Sequence, residues 1–176
     1  MVQWYECNKQ LYDEEIRYMA ETMPNAIHGF LPNGNMYWII EPHPIIGGQR
    51  KDWTLLAVYD SDHPHRRWGG SIKFYPVKPN YDEMLKMVNH SKVTPDSIPY
   101  LLRDETNQIY ISTVNPEQIV INATTALANA MRWITMFEHG LTNQKIWSVF
   151  CGTGKLGSKY SYISSNIKRL NGEEEM

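Results

Sequence analysis

The chain has 176 residues, of which 42% are hydrophobic, 12% aromatic and 20% charged, and its formal net charge is −2. This length fits one ordinary domain with a core, and the apolar and aromatic content excludes an intrinsically disordered chain. A net charge this small provides no overall field to attract nucleic acid or an anionic membrane. We expect a single domain over residues 1–170, followed by an acidic tail over residues 171–176.

The two cysteines, Cys7 and Cys151, lie near opposite ends of the chain. Two are too few for a disulfide framework or for a zinc site built mainly on thiolates. The sequence contains no run of about 18 apolar residues, and its first ten residues lack the apolar centre of a signal peptide. These features predict a reduced, cytoplasmic protein with neither a membrane span nor an export signal.

The first predicted element is an amphipathic helix over Lys9–Met23. Its apolar side chains recur at helical spacing on one side, while most of its charged side chains lie on the other. The apolar positions are Leu11, Tyr12, Ile16, Met19 and Met23. Pro24 ends the helix, because the residue before a proline disfavours the helical conformation.

Three segments rich in β-branched and aromatic residues predict strands, namely Met36–Glu41, Asp52–Asp60 and Ser71–Val77. Proline lacks the amide that a sheet needs, so Pro42 ends the first strand and Pro76 gives the third an edge position or a strand end. The polar connection between the second and third strands, SDHPHRRWGG, predicts an exposed loop longer than most hairpin turns.

Two weaker segments follow the predicted strands. Tyr81–Asn89 fits either a short helix or irregular structure, and its pattern does not decide between them. Ile98–Leu102 and Gln108–Ser112 flank the polar turn RDETN, which predicts a hairpin or an extended arm.

Asn115–Gly140 has the clearest helical pattern. Asn115 can cap the first turn, Pro116 fits the first helical position, and Gly140 can adopt the left-handed conformation that ends a helix. A break near Asn122 would divide the segment into a short turn and a longer helix. The apolar stripe consists of Ala123, Leu127, Ala130, Ile134, Phe137 and Leu141. The elements together predict an α+β domain, in which an antiparallel meander sheet packs against this helix of the C-terminal half, with the amphipathic helix at the N-terminal end.

This order of elements resembles the ubiquitin-conjugating enzyme fold, in particular the bacterial relatives of that family. The segments that carry the resemblance are MYWIIEPHP, DWTLLAVYDSDHP, GGSIKFYPVKPNY, IPYLLRDETNQIYIST and RWITMFEHGLTNQKIW. The residues that look like the bacterial pattern are Trp133, Phe137, Glu138 and Trp147. The resemblance covers roughly Leu11 to Trp147.

The chain departs from the family at the catalytic cysteine. By the resemblance this cysteine would fall within Gln108–Ser112, which contains Tyr110 and Ser112 but no thiol. Carriage of a thioester needs sulfur, and neither hydroxyl is nucleophilic near neutral pH without activation. The resemblance therefore implies a non-catalytic variant without a cofactor, which docks a protein partner such as a component of a ubiquitin-like conjugation system.

The expected docking surface combines the loop Asp60–Gly70 with the arm Tyr100–Ser112. Tryptophan, tyrosine and arginine are frequent anchors of protein interfaces. The candidate binding residues are His63, Arg66, Arg67, Trp68, Tyr100, Tyr110 and Ser112. The sequence specifies neither the identity of the partner nor the oligomeric state.

A metal site is the first alternative, because His63 and His65 follow Asp60 and Asp62. A metal site needs three or four ligands that converge with fixed geometry, and this spacing does not specify that geometry. The favoured interpretation is a solvated loop in which Arg66 and Arg67 neutralise the aspartates, with no metal bound.

Nucleic-acid binding through the C-terminal segment is the second alternative. Basic and aromatic residues are mixed there as in many nucleic-acid binders, namely Lys155, Lys159, Tyr160, Tyr162, Lys168 and Arg169. The charge of this segment is modest, and the acidic GEEE that follows opposes it. The protein-docking interpretation is therefore preferred.

Overall fold

A computed structural model of the chain describes residues 2–67, 69–91, 98–112 and 122–151. The described residues form five helices and eight strands. The helices are α1 (Trp4–Cys7), α2 (Lys9–Thr22), α3 (Tyr81–His90), α4 (Ala123–Gly140) and α5 (Gln144–Phe150). The strands are β1 (Ile27–Phe30), β2 (Met36–Ile40), β3 (Ile45–Ile46), β4 (Gln49–Arg50), β5 (Thr54–Tyr59), β6 (Ile72–Lys78), β7 (Leu101–Arg103) and β8 (Ile109–Ile111).

Six of the strands form one antiparallel sheet in the order β1-β2-β5-β6-β8-β7, and β3 and β4 form a separate small hairpin. The predicted α+β class and antiparallel meander are confirmed. The meander contains one more strand than expected, because β1 lies between the predicted N-terminal helix and the first predicted strand, where no strand was expected. Tyr81–Asn89 forms a helix, and the predicted arm forms the hairpin of β7 and β8.

The apolar stripe of α4 packs on one face of the sheet. Ala123, Ala130, Ile134 and Phe137 are essentially inaccessible to solvent, as predicted, and Leu141 is half-buried just beyond the helix. The sheet residues in the same core are Met36, Trp38, Ile40, Leu55, Ala57, Tyr59, Ile72, Phe74 and Ile111. Burial of one large aliphatic or aromatic side chain contributes about 1.5–3 kcal/mol, so this layer is the main source of stability.

The start of α4 agrees with the predicted break near Asn122. Asn122 is the capping residue, and its side-chain oxygen accepts a hydrogen bond of 2.8 Å from the Thr125 amide. The predicted start at Asn115 and Pro116 lies outside the described residues.

The predicted role of Gly140 is wrong. Gly140 is the last residue of the helix and has helical backbone angles, not left-handed ones. A Cβ atom at this position would lie 2.8 Å from Trp147 Cε3, so glycine is needed for the close approach of α5. Glycine is therefore required here by packing and not by a left-handed backbone conformation.

The residues that carry the resemblance at the C-terminal end form a buried cluster. Trp133 stacks on Phe137 at a centroid distance of 5.2 Å, and Phe137 also contacts Trp147. Glu138 accepts a hydrogen bond of 3.1 Å from the indole of Trp53, which precedes β5. These side chains join α4 and α5 to the sheet. Within the described residues, no helix is both long and apolar enough to cross a bilayer.

Candidate functional site

The face of the sheet opposite α4 is the candidate site, and we call it the open face. Side chains on alternate positions of a strand point to opposite faces, so the neighbours of core residues in β5, β6 and β8 lie here. These include Leu56, Val58, Lys73, Tyr75 and Tyr110. They line a shallow groove with a volume of about 1040 Å³.

Four residues form what we call the apolar row across the open face. Ile27 is paired with Ile39, Ile39 with Leu56, and Leu56 with Tyr75, so one side chain comes from each of four neighbouring strands. Ile27 is 64% exposed and Ile39 37%, and the other two are half-buried. Outward positions of a half-solvated antiparallel sheet are usually polar. A contiguous apolar row on such a face is typical of an interaction surface.

A network of paired charges lies beside the apolar row. Lys73 Nζ lies 2.8 Å from both carboxylate oxygens of Asp60. Arg67 binds both oxygens of Asp62 through a two-pronged ion pair, at 2.5 and 2.8 Å. The hydrogen bonds from Arg67 lower the pKa of Asp62 to about 2. Asp62 is therefore ionised at physiological pH, and each of the two aspartates faces a cation of the same chain.

His65 completes the network. Its Nε2 lies 2.7 Å from Asp60 Oδ2, and its Nδ1 is 3.1 Å from the backbone nitrogen of Arg67, which donates to it. Both ring nitrogens of His65 therefore have a partner within the chain.

Two tyrosines join the predicted loop to the predicted arm. The Tyr75 hydroxyl donates a hydrogen bond of 2.8 Å to Asp104, and the ring of Tyr75 lies 5.8 Å from that of Tyr110. The hydroxyl of Tyr110 lies directly against Gly69, where a Cβ would clash with it. Burial raises the pKa of Tyr110 to about 12. The loop and the arm are therefore in direct contact through Gly69 and Tyr110.

The loop from Ser61 to Gly70 is less exposed than expected. His63 is only 3% exposed, and its ring lies 4.9 Å from the rings of Trp4 and Tyr59 on the core side. Its Nδ1 is 2.7 Å from Ser71 Oγ, and burial lowers the pKa of His63 to about 4. His63 is thus an interior residue and not a surface contact, because the loop folds back under α1.

The other predicted site residues are divided between surface and interior. Tyr100 is 3% exposed and packs on Phe150 at 5.6 Å, while its carbonyl accepts a hydrogen bond from the amide of half-buried Ser112. Arg66 and Arg67 are exposed. Trp68 lies outside the described residues. Lys73 and Tyr75 also lie on this surface, although they were not among the predicted binding residues. They alternate with core residues in SIKFYPV, and this alternation could have assigned them to the face away from the core.

The metal hypothesis is tested by the same geometry. Ligand atoms of Asp60, Asp62 and His65 lie within 4.8 Å of one another, whereas His63 is not part of this group. Lys73 and Arg67 already neutralise the two carboxylates, and a metal ion would have to displace both cations. The arrangement therefore favours an ion-pair network over a metal centre.

A separate polar cluster lies in the core on the opposite face of the sheet. Glu15 of α2 is fully buried, and its Oε2 accepts hydrogen bonds from the Tyr59 hydroxyl at 2.5 Å and the Ala123 amide at 3.0 Å. The Tyr59 hydroxyl in turn accepts from the Trp38 indole at 2.9 Å. Burial raises the pKa of Glu15 to about 7, although both hydrogen bonds oppose this rise.

No family model, curated protein or solved structure matches this chain. The open face, with its apolar row and its paired charges, is therefore the basis on which a function is assigned.

Proposed function

We propose that this chain is a cytoplasmic, non-catalytic docking domain that binds a partner protein on the open face of its sheet. The observation that carries the proposal is the apolar row of Ile27, Ile39, Leu56 and Tyr75. Removal of apolar surface from water contributes about 25 cal/mol per Å², so a complementary apolar surface would gain free energy here. The resemblance to bacterial ubiquitin-conjugating enzymes supports a component of a ubiquitin-like conjugation system as the partner.

The charges of the open face favour a protein partner over a nucleic acid at this face, whereas the C-terminal segment named for the nucleic-acid alternative lies outside the described residues. Affinity for nucleic acid depends on cations that neutralise phosphates and release counterions. Lys73 and Arg67 are each held by a carboxylate of the same chain. Transfer of Arg67 to a phosphate would remove the two-pronged partner of Asp62, and transfer of Lys73 would leave Asp60, among the described residues, with His65 alone. A partner protein needs only an apolar centre with a polar rim, which this face matches.

The same geometry supports the absence of catalysis at this face. His65, Lys73 and Tyr110 are three of the described side chains there that could act as a base or a nucleophile. His65 has both ring nitrogens engaged, and Lys73 is paired with Asp60. The raised pKa of Tyr110 keeps its hydroxyl protonated at neutral pH. His65 and Lys73 are therefore occupied by partners within the chain, and the hydroxyl of Tyr110 is kept protonated.

The test compares binding by the wild type and by Ile39→Glu, which places a charge in the middle of the apolar row. Both proteins are immobilised and incubated with a lysate of the source organism. Each enriched protein is then purified and titrated by calorimetry. Ile39→Glu is expected to weaken the interaction at least tenfold, because the carboxylate would lose its hydration in the interface.

Ile45→Glu is the matched control. Ile45 is 72% exposed on the small β3–β4 hairpin, outside the apolar row, so its replacement should leave binding unchanged. Equal losses in both variants would overturn the proposal. Binding of a DNA or RNA oligonucleotide that falls steeply between 50 and 200 mM salt would instead support the nucleic-acid alternative.

A further inference from the structure

The two edges of the six-stranded sheet differ in their surroundings. At one edge, Leu101 and Leu102 of β7 are 7% and 1% exposed. At the other, Ile27 and Phe30 of β1 are 64% and 49% exposed, and β2 is the only strand beside β1 in the described part of the chain. An accessible edge strand offers unpaired amides and carbonyls to another chain. Among the described residues, β1 is therefore the edge that is accessible for strand addition.

Apart from its short length of four residues, β1 lacks the usual protection of an edge strand. Natural edges are blocked by lysine, proline, a bulge or an inward charge, and the sequence Ile-His-Gly-Phe contains no fixed charge and no proline. Its pairing with β2 is regular over all four residues. The absence of fixed charge also means that two copies of β1 would meet without like-charge repulsion.

The hydrogen-bonding direction of β1 is set by the turn that follows it. The Leu31 amide donates to the Asn35 carbonyl at 2.9 Å, which continues the register of Phe30 with Met36. Backbone groups of successive residues in a strand point to alternate sides. Ile27, Gly29 and Leu31 therefore bond toward β2, whereas His28 and Phe30 present their amides and carbonyls to the free edge.

We propose that β1 pairs antiparallel with β1 of a second copy, around a two-fold axis at Gly29. In this register His28 of each copy lies opposite Phe30 of the other. Each of these two pairs can exchange two backbone hydrogen bonds, which satisfies all four outward groups of each copy. Ile27 of each copy lies opposite Leu31 of the other, so apolar residues meet on the open face.

Other registers of the β1–β1 pair would match side chains or backbone groups less well. Opposed residues in a sheet share a face, so a shift by one residue would place core-side residues against open-face residues. A shift of the axis to His28 would oppose Phe30 with Ala26, whose amide already donates to the Met23 carbonyl. The strand is thus best complemented by its own sequence, and a second copy is the occupant to which the geometry points.

The dimer is expected to be weak and to depend on concentration. A four-residue strand with its flanking side chains provides less than the roughly 1,200 Å² of a standard stable interface. The apolar row would nevertheless continue across the two-fold axis. A dimer would present two copies of the open face on one continuous twelve-stranded sheet.

Sedimentation equilibrium of the purified chain, from about 5 µM to about 1 mM, tests the proposal. The wild type should show a reversible monomer–dimer equilibrium. Ile27→Lys should weaken dimerisation at least tenfold, because a lysine on the edge opposes strand pairing. Ile45→Lys, at an equally exposed apolar position outside β1, should dimerise like the wild type.

Hydrogen exchange of the wild type provides a second measurement that needs no variant. The amides of His28 and Phe30 should exchange more slowly as the concentration rises, while those of Ile27 and Gly29, which bond to β2, should not change. A wild type that stays monomeric at 1 mM, or a dimer that Ile27→Lys leaves intact, would overturn the proposal. Neither readout involves the docking partner, so this inference and the proposed function can fail separately.

Discussion

At the scale of single residues, Glu15 is an ionisable side chain that is inaccessible to solvent. Its carboxyl is completely buried between α2, β5 and the first turn of α4, and its pKa is raised from 4.5 to about 7. Between these two values the folded chain binds a proton that the unfolded chain does not bind. The contribution of Glu15 to stability is therefore present at low pH and is lost as the pH rises through 7.

Glu15→Gln removes this titration while keeping an oxygen that can accept from the Ala123 amide. We expect the free energy of unfolding of the wild type, relative to the variant, to fall by about 2 kcal/mol between pH 5 and pH 7.5. Urea denaturation of both proteins at several pH values measures the difference. A difference that is constant with pH would show that Glu15 keeps its ordinary pKa in the folded chain.

The sequence indicates which side of the helix Glu15 lies on, but it does not indicate the hydrogen-bond partners of Glu15. It lies four residues from both Leu11 and Met19, which places it on the apolar side of the predicted helix. Tyr59 and Ala123 are 44 and 108 residues away along the chain. Local periodicity can identify a carboxyl that faces the core, whereas only the packing of distant elements shows what satisfies it.

At the scale of elements, the contact between α4 and α5 depends on Gly140. A methyl group there would lie 2.8 Å from Trp147 Cε3 and 3.3 Å from Trp147 Cα, and the backbone atom cannot move without moving α5. Gly140→Ala should therefore destabilise the chain by about 1 kcal/mol. The overpacking costs about 1–3 kcal/mol, against a gain in helix propensity of at most about 1 kcal/mol.

Thermal or urea unfolding of Gly140→Ala checks this expectation. Ala128→Gly is a suitable control, because Ala128 is exposed in the same helix and reports the propensity difference without the contact. Stabilisation of the chain by Gly140→Ala would mean that α5 does not approach α4 this closely.

The elements differed in how far the sequence could predict them. The long helix and the central strands have strong periodic patterns, and these were identified correctly. β1 was not predicted because its residues do not alternate between buried and exposed positions, so its sequence lacks the strand pattern. Gly29 and the turn after it are also typical of a loop. The cap at Asn122 was anticipated as a break, but Gly140 was misjudged because its packing partner lies in another helix.

At the scale of the whole molecule, stability and the proposed docking function occupy opposite faces of one sheet. Adjacent residues of β2 illustrate the division. Ile40 is completely buried in the core, and Ile39 lies on the open face. Ile40→Ala should destabilise the chain by about 2–5 kcal/mol. Ile39→Glu should change stability by less than about 0.5 kcal/mol while weakening the proposed interaction.

Unfolding measured by circular dichroism distinguishes these variants. A large loss of stability in Ile39→Glu would show that this side chain belongs to a packed layer and not to a free surface. Binding measured on the same samples then relates the two properties, since a folded variant that no longer binds separates docking from folding.

The candidate site was predicted only in part. The loop and the arm were expected to share a surface, and the contact between Gly69 and Tyr110 joins them. His63 and Tyr100 were misplaced because composition alone does not reveal which loop residues turn inward. The pairing of Lys73 with Asp60 depends on the register of two strands, which a sequence pattern does not specify.

Tyr59 has a consequence for how the chain tolerates acid and base, since it touches both Glu15 and His63. His63 has a pKa of about 4 when folded and 6.5 otherwise, so its contribution is lost as the pH falls through that interval. Glu15 loses its contribution in the opposite direction. The two contributions therefore change in opposite directions between about pH 4.5 and 6.5, and we expect them to offset each other there in the free energy of unfolding.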